Sequence, residues 1–200
     1  MHHTYRKTNF KKMTLNKTTK RKPCWRDVKS SLEDFDRAGL IGLVQDMYAA
    51  SNDNKALLHA RFSLGDDPLK PYKDMIIHWI NPQDFRSPIS VSKAQKAIRD
   101  YKRAQGHAES LAELTVFYCE EVFKFLAGCG IDDEGFYDAL VRMFEQALQY
   151  ILTLPKAQQT AFLVRLDHVR QLGQEVGWGV GDDFDHFWSA AGLAEENDAS

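Results

Sequence analysis

The chain has no long apolar run. Its longest uncharged stretch, Gln146–Pro155, is ten residues, about half of what a membrane-spanning helix requires. No apolar segment follows the basic N-terminus in the way a secretory leader would supply one. Cysteine is scarce: Cys24, Cys119 and Cys129 form an odd set without paired spacing. That disfavours a disulfide framework and points to a reduced, cytoplasmic compartment. There is no HExxH, CxxC, GxSxG or Walker phosphate loop, so zinc-protease, α/β-hydrolase and P-loop chemistry lack their usual carriers. No segment combines strict alternation with hairpin turn residues, which argues against a sheet.

What is present is an ordinary globular mixture, 200 residues with 44% hydrophobic and 27% charged side chains, enough to bury a real core. The net charge of −2 hides a gradient: +9 over residues 1–30, +1 over 31–107 and −12 over 108–200. Opposite blocks on one chain present opposite signs to partners, because each field reaches only about 8 Å in physiological salt. Residues 1–24 are rich in lysine and arginine and poor in apolar groups, and read as a disordered basic head. Residues 194–200 read as a frayed acidic C-terminus.

From Trp25 to about residue 193 the apolar spacing is helical and predicts one domain. Trp25, Val28 and Leu32 mark a short first helix. Leu40, Ile41, Leu43, Val44, Met47 and Tyr48 give the second a wide apolar face. Leu57, Leu58 and Phe62 do the same for a third. Pro68–Ile80 is a fourth, stopped by Asn81-Pro82, and Ser90 or Ser92 caps a fifth that ends at Gln105-Gly106. Two long helices, His107–Ala127 and Asp132–Leu154, flank Gly128-Cys129-Gly130, a link short enough to force antiparallel packing. An eighth follows Pro155 and is expected to bury Ala161, Val164 or Leu163, and Val169. A last one starts near Asp182 with Phe184, Phe187 and Trp188. The predicted fold is all-α, with antiparallel helical hairpins stacked as a bundle or short solenoid of eight to nine helices.

Three features invite a functional reading. Lys93, Lys96, Arg99, Lys102 and Arg103 avoid the apolar stripe of the fifth helix, and Arg86 precedes it, so these six are candidate polyanion contacts. The competing reading is a solvated face of an amphipathic helix. No aromatic side chain is clearly interleaved on the basic face, which weakens a single-strand stacking platform. Gly177, Trp178, Gly179 and Asp182 form a Gly-rich turn that does not match GxGxxG. It reads as structural, with Trp178 anchoring the last helix to the core. Asp182 and His186 share a helix face, and His168, Asp167 or Asp185 could join them around a metal. Cys119 reads as buried and Cys129 as more exposed, with no base or oxyanion site evident for either.

Several segments, WRDVKSSLEDFDRAGLIGLVQDMYAASNDNKALL, KPYKDMIIHWINPQDFRSPISVSKAQKAIRDYKRA and GWGVGDDF, together resemble a family of small bacterial cytoplasmic proteins. The likeness is carried best by Ala94, Lys96, Ala97, Ile98, Asp100, Tyr101 and Lys102, and by Gly177, Trp178, Gly179 and Asp182. It covers residues 25 to about 190. It implies an all-helical fold and no assigned activity. With no catalytic motif found, the expectation is an interaction protein, a scaffold or adaptor without catalysis or cofactor, docking a protein partner and no membrane. The alternatives are a nucleic-acid accessory protein using the head and the Lys93–Arg103 helix, and a metal-dependent helical enzyme around His168, Asp182 and His186.

Overall fold

In a computed structural model the described residues, 22–84 and 86–193, form nine α-helices and no strand. They are α1 Trp25–Leu32, α2 Arg37–Ala50, α3 Asn52–Arg61, α4 Lys70–Ile80, α5 Val91–Ala104, α6 Ala108–Leu126, α7 Glu134–Leu152, α8 Lys156–Gly173 and α9 Val180–Ala190. The head expected over 1–24 lies outside the described residues as far as residue 21, and the acidic end over 194–200 lies outside them entirely. The chain divides into two compact units, Met1–Gln45 and Asp46–Ser200. The boundary thus runs through α2, where the apolar spacing predicts a single domain over 25–193.

The first unit holds α1 and most of α2. Asp27 Oδ2 accepts from the Cys24 amide at 2.7 Å and Asp36 Oδ1 from the Gly39 amide at 2.7 Å, so both helices start on a carboxylate that satisfies a free N–H. Among the described residues, no residue of α1 or α2 is buried, so the apolar faces expected for them form no core within this unit. Trp25, Val28, Phe35, Leu40, Ile41 and Val44 are all exposed.

The second unit is built from antiparallel hairpins. In α4/α5, Tyr72 near the start of α4 meets Tyr101 near the end of α5, ring centroids 5.3 Å apart. In α6/α7, Phe125 meets Phe136 across the Gly128–Gly130 link at 6.2 Å, and the Tyr137 hydroxyl donates to Ile131 O at 2.8 Å. In α8/α9, a Cβ on Gly173 would lie 2.6 Å from the Phe184 ring, so glycine there permits the two helices to close. Phe184 reaches from α9 to stack on Phe144 of α7 at 4.0 Å. The centre is α6, which packs on α4, α5, α7 and α8. Apolar side chains of α6 alternate with Thr115, whose hydroxyl donates to Leu111 O and Ala112 O and so needs no other partner.

Two stripes differ from expectation. In α3 the buried residues are Ala56 and Ala60, while Leu57, Phe62 and Leu64 are exposed. α3 packs on α5, and the buried positions on both are largely alanine (Ala94, Ala97 and Ala104 on α5), so small side chains rather than leucines form that contact. In α8 the buried residues are Gln159, Leu166, Val169 and Gly173; Val169 is buried as expected and Leu163, the alternative to Val164, packs against the core, while Ala161 and Val164 are exposed. Gln159 takes a core position because its amide donates to Leu154 O at 2.8 Å, satisfying a carbonyl just past the C-terminus of α7.

A charge knot ties α4, α6 and α8. Arg165 donates from Nε to Glu120 at 2.7 Å and from Nη1 to Glu113 at 2.5 Å, and Lys73 Nζ lies 2.7 Å from Glu113. Burial pushes the Glu113 carboxyl up, but the hydrogen bonds from Arg165 and Lys73 outweigh it and hold the group below its ordinary value. Two buried hydroxyls, on Tyr72 and Tyr118, have no hydrogen-bond partner among the described residues. Burial, then the nearby Asp100, pushes Tyr72 up to about 12.

A depressed carboxyl stabilises the fold above its unfolded pKa, and that stability is lost as pH falls through its folded value. Glu113→Gln is therefore expected to cost about 1–2 kcal/mol at pH 6. The difference from wild type should shrink as pH drops below about 4.5, as checked by urea unfolding at several pH values. Tyr118→Phe removes an unpaired buried hydroxyl and is expected to raise stability by about 1 kcal/mol in the same assay.

Candidate functional site

The most developed surface feature lies between α5 and α7. α5 starts at Ser90, whose amide donates to Trp79 O at 2.9 Å, and its buried Ala94, Ala97, Ile98, Tyr101 and Ala104 set which face turns outward. α7 starts at Asp133, whose Oδ1 accepts from the Gly135 amide at 2.9 Å. Both helices pack on α6 and leave a trough between them. It consists of three adjoining depressions of about 400, 230 and 480 Å³. The first two share Gln95 and Arg142, and the last two share Ile98, Arg99 and Gln146. Lys102, Arg103 and Tyr150 close the far end.

Four cations therefore line one trough: Arg99, Lys102 and Arg103 from α5 and Arg142 from α7. Their charge is largely uncommitted. Arg99 donates to the Ser92 carbonyl at 3.2 Å and Lys102 to the Tyr150 hydroxyl at 3.2 Å, and neither meets a carboxylate among the described residues. Arg103 and Arg142 reach Asp100 and Asp138 only at 3.8 Å, with side chains 77% and 63% exposed. Two arginines of α8 are by contrast closely neutralised. The hydrogen bonds that Arg165 donates to Glu120 and Glu113 raise its pKa against the opposing effect of burial. Arg170 sits 2.8 Å from Asp167 and 2.5 Å from Asp185, and those bonds raise its pKa although burial opposes them.

The six basic candidates separate. Arg99, Lys102 and Arg103 line the trough. Lys96 turns away to Asp100 at 2.5 Å and Asp53 at 3.6 Å, and the Asp100 hydrogen bond raises its pKa. Lys93 lies over the Trp79 ring, 3.8 Å from its centroid. Arg86 is exposed in the 84–87 turn, its amide on Asp84 Oδ1 at 3.0 Å. The trough's other contributors, Arg142, Gln146 and Tyr150, come from a helix more than thirty residues further on. Helical spacing within α5 could not find them. Tyr150 supplies an aromatic ring beside Lys102, 5.6 Å from Nζ to centroid.

The Gly-rich turn is a run of left-handed backbone, with φ of +77°, +55° and +73° at Gly177, Trp178 and Gly179. Trp178 does not reach the core: it is 54% exposed and stacks on Tyr137 at 5.7 Å. The fully buried Val180 and Phe184 anchor α9 instead. This follows from the turn: a side chain leaving αL backbone ahead of the helix points off the helix's buried stripe. Asp182 is exposed in the first turn of α9.

The metal constellation is not assembled. Among the described residues no three His, Cys, Asp or Glu side chains come together to hold an ion. Asp167 and Asp185 are both engaged by Arg170. His186 is exposed beside Phe187, and His168 borders an apolar depression of about 440 Å³ between α6 and α8.

Cys119 is fully buried and burial drives its thiol pKa strongly upward, whereas Cys24 is exposed. Under native conditions a maleimide is expected to modify Cys24 rapidly and to leave Cys119 untouched until denaturant is added, as read by intact-mass spectrometry. Comparison with protein-family models, curated proteins and solved structures finds no match for this chain.

Proposed function

We infer that the protein is a non-catalytic helical adaptor that holds an anionic segment of a partner in the α5/α7 trough. One observation carries this: Arg99, Lys102, Arg103 and Arg142 converge on the trough with their charges largely unpaired, while Arg165 and Arg170 are closely neutralised. An exposed cation cluster attracts anions in proportion to what its own carboxylates leave uncancelled. The fold offers the trough as a rigid feature, because both walls are helices seated on the same buried α6. In the first unit the exposed apolar side chains Trp25, Val28, Ile41 and Val44 are of the kind that marks protein contacts. The resemblance to small helical proteins without assigned activity is compatible with such a role.

A nucleic-acid accessory role is the second reading. It is favoured by the +9 charge of residues 1–30. The two are told apart by which segment matters.

Fluorescein-labelled poly-glutamate is expected to bind the full chain, weakening steeply with salt. Binding should drop at least tenfold in the Arg99→Glu, Arg142→Glu double variant. Unchanged binding in that variant would remove the trough from the function. An oligonucleotide whose binding is lost on deleting residues 1–24, but kept in the double variant, would favour the second reading.

A further inference from the structure

The trough changes character along its length. At the N-terminal end of α5 the depression is walled by Ile89, Val91, Ile131 and Phe136, with Arg142 its one cation and Asp133 its acid. At the other end Arg99, Lys102 and Arg103 gather with no carboxylate in the lining. Gln95 and Gln146 line the middle, and neither side-chain amide has a hydrogen-bond partner among the described residues. From Val91 to Arg103 is about 18 Å of helix. A chain in extended conformation covers that in about five or six residues.

Charge by itself would suit any polyanion, and the apolar end discriminates. A nucleic-acid strand carries a phosphate at every step, so part of it would lie over Ile89, Val91 and Ile131 with Asp133 nearby. There the desolvated phosphates would find one arginine. A polypeptide can place an apolar side chain at one position and carboxylates at the next ones. It also has main-chain N–H and C=O groups that need partners, and primary amides such as Gln95 and Gln146 supply both a donor and an acceptor.

We propose that the trough binds an extended acidic peptide segment of a partner protein. One large apolar side chain seats among Ile89, Val91, Ile131 and Phe136, and carboxylates follow over Arg99, Lys102 and Arg103. This rests on the adaptor reading and adds to it a polarity and an anchor. Arginine forks hold carboxylates in the bidentate geometry they favour, and the apolar pocket supplies the selectivity that charge lacks.

The test uses the full chain and labelled octapeptides carrying four consecutive Glu and a single Phe placed on either side of them, matched peptides with Phe replaced by Ala, and an oligothymidylate of equal charge, all read by fluorescence anisotropy. One of the two Phe peptides is expected to bind at least tenfold tighter than its Ala counterpart. The Ile89→Ser, Val91→Ser variant should abolish that advantage while still binding the Ala peptide. Arg99→Glu with Arg142→Glu should weaken every acidic peptide at least tenfold. Lys70→Glu, an exposed site on α4 outside the trough, should weaken none. Equal binding of Phe and Ala peptides, with both sensitive to the Arg99/Arg142 reversal, would overturn the anchored-peptide proposal and leave the adaptor reading standing. Tighter binding of oligothymidylate, lost in the same reversal, would also overturn it in favour of a nucleic-acid ligand. No binding of any acidic peptide would end both. Circular dichroism of each variant confirms that the fold is kept.

Discussion

Enclosure of α6 is the constraint from which the rest of the second unit follows. Eleven of its nineteen residues are buried, including Glu121. Where α4, α5, α7 and α8 cover α6, its carboxylates lose most of their water, and burying a charge without a partner is strongly unfavourable. Each acid near the core is therefore met in place: Glu113 and Glu120 by Arg165, Glu113 again by Lys73, and Glu121 by Lys124 at 2.6 Å and Asn81 at 3.3 Å. These pairs position α4 and α8 against α6 and use up the basic groups on that side. Arg103 and Arg142 stand on the outward faces of α5 and α7, where carboxylates reach them only at 3.8 Å, and Arg99 and Lys102 meet none among the described residues.

Polarity along the trough has a similarly simple origin. α5 begins just after the Pro88-Ile89 loop, so its N-terminal end brings that loop's apolar residues alongside the Ile131–Phe136 entry to α7. Its C-terminal end carries Lys102 and Arg103, the basic residues that a helix C-terminus favours. An ordinary preference of helix ends thus becomes a gradient from apolar to cationic once two helices lie side by side.

Periodicity made the helices legible because a 3.6-residue repeat is a local property. Ser90 could be read as a start, and Asn81-Pro82 as a stop, from the chemistry of single residues. The Gly128–Gly130 hairpin was legible because a short link allows only one packing. What periodicity could not decide is which apolar residues are covered. Leu57 and Phe62 belong to a good stripe, yet α3 meets α5 through alanines. Val164 fits a stripe in α8, yet Gln159 is buried to satisfy a carbonyl at the end of α7. Trp178 has the bulk of an anchor, yet left-handed backbone turns it out to Tyr137.

The amino-acid order alone determined the all-helical class, the positions of the turns, the hairpin sense of α6/α7 and the segregation of charge, since each depends on neighbours a few residues apart. Tertiary structure alone decided which lysines and arginines keep a usable charge. It turned Lys96 to Asp100 and Asp53, set Lys93 on Trp79, and brought Arg142 and Tyr150 opposite Arg99 and Lys102. Electrostatic partnership depends on distance through space, and residues from two helices forty or more positions apart become neighbours only after both have settled on a third.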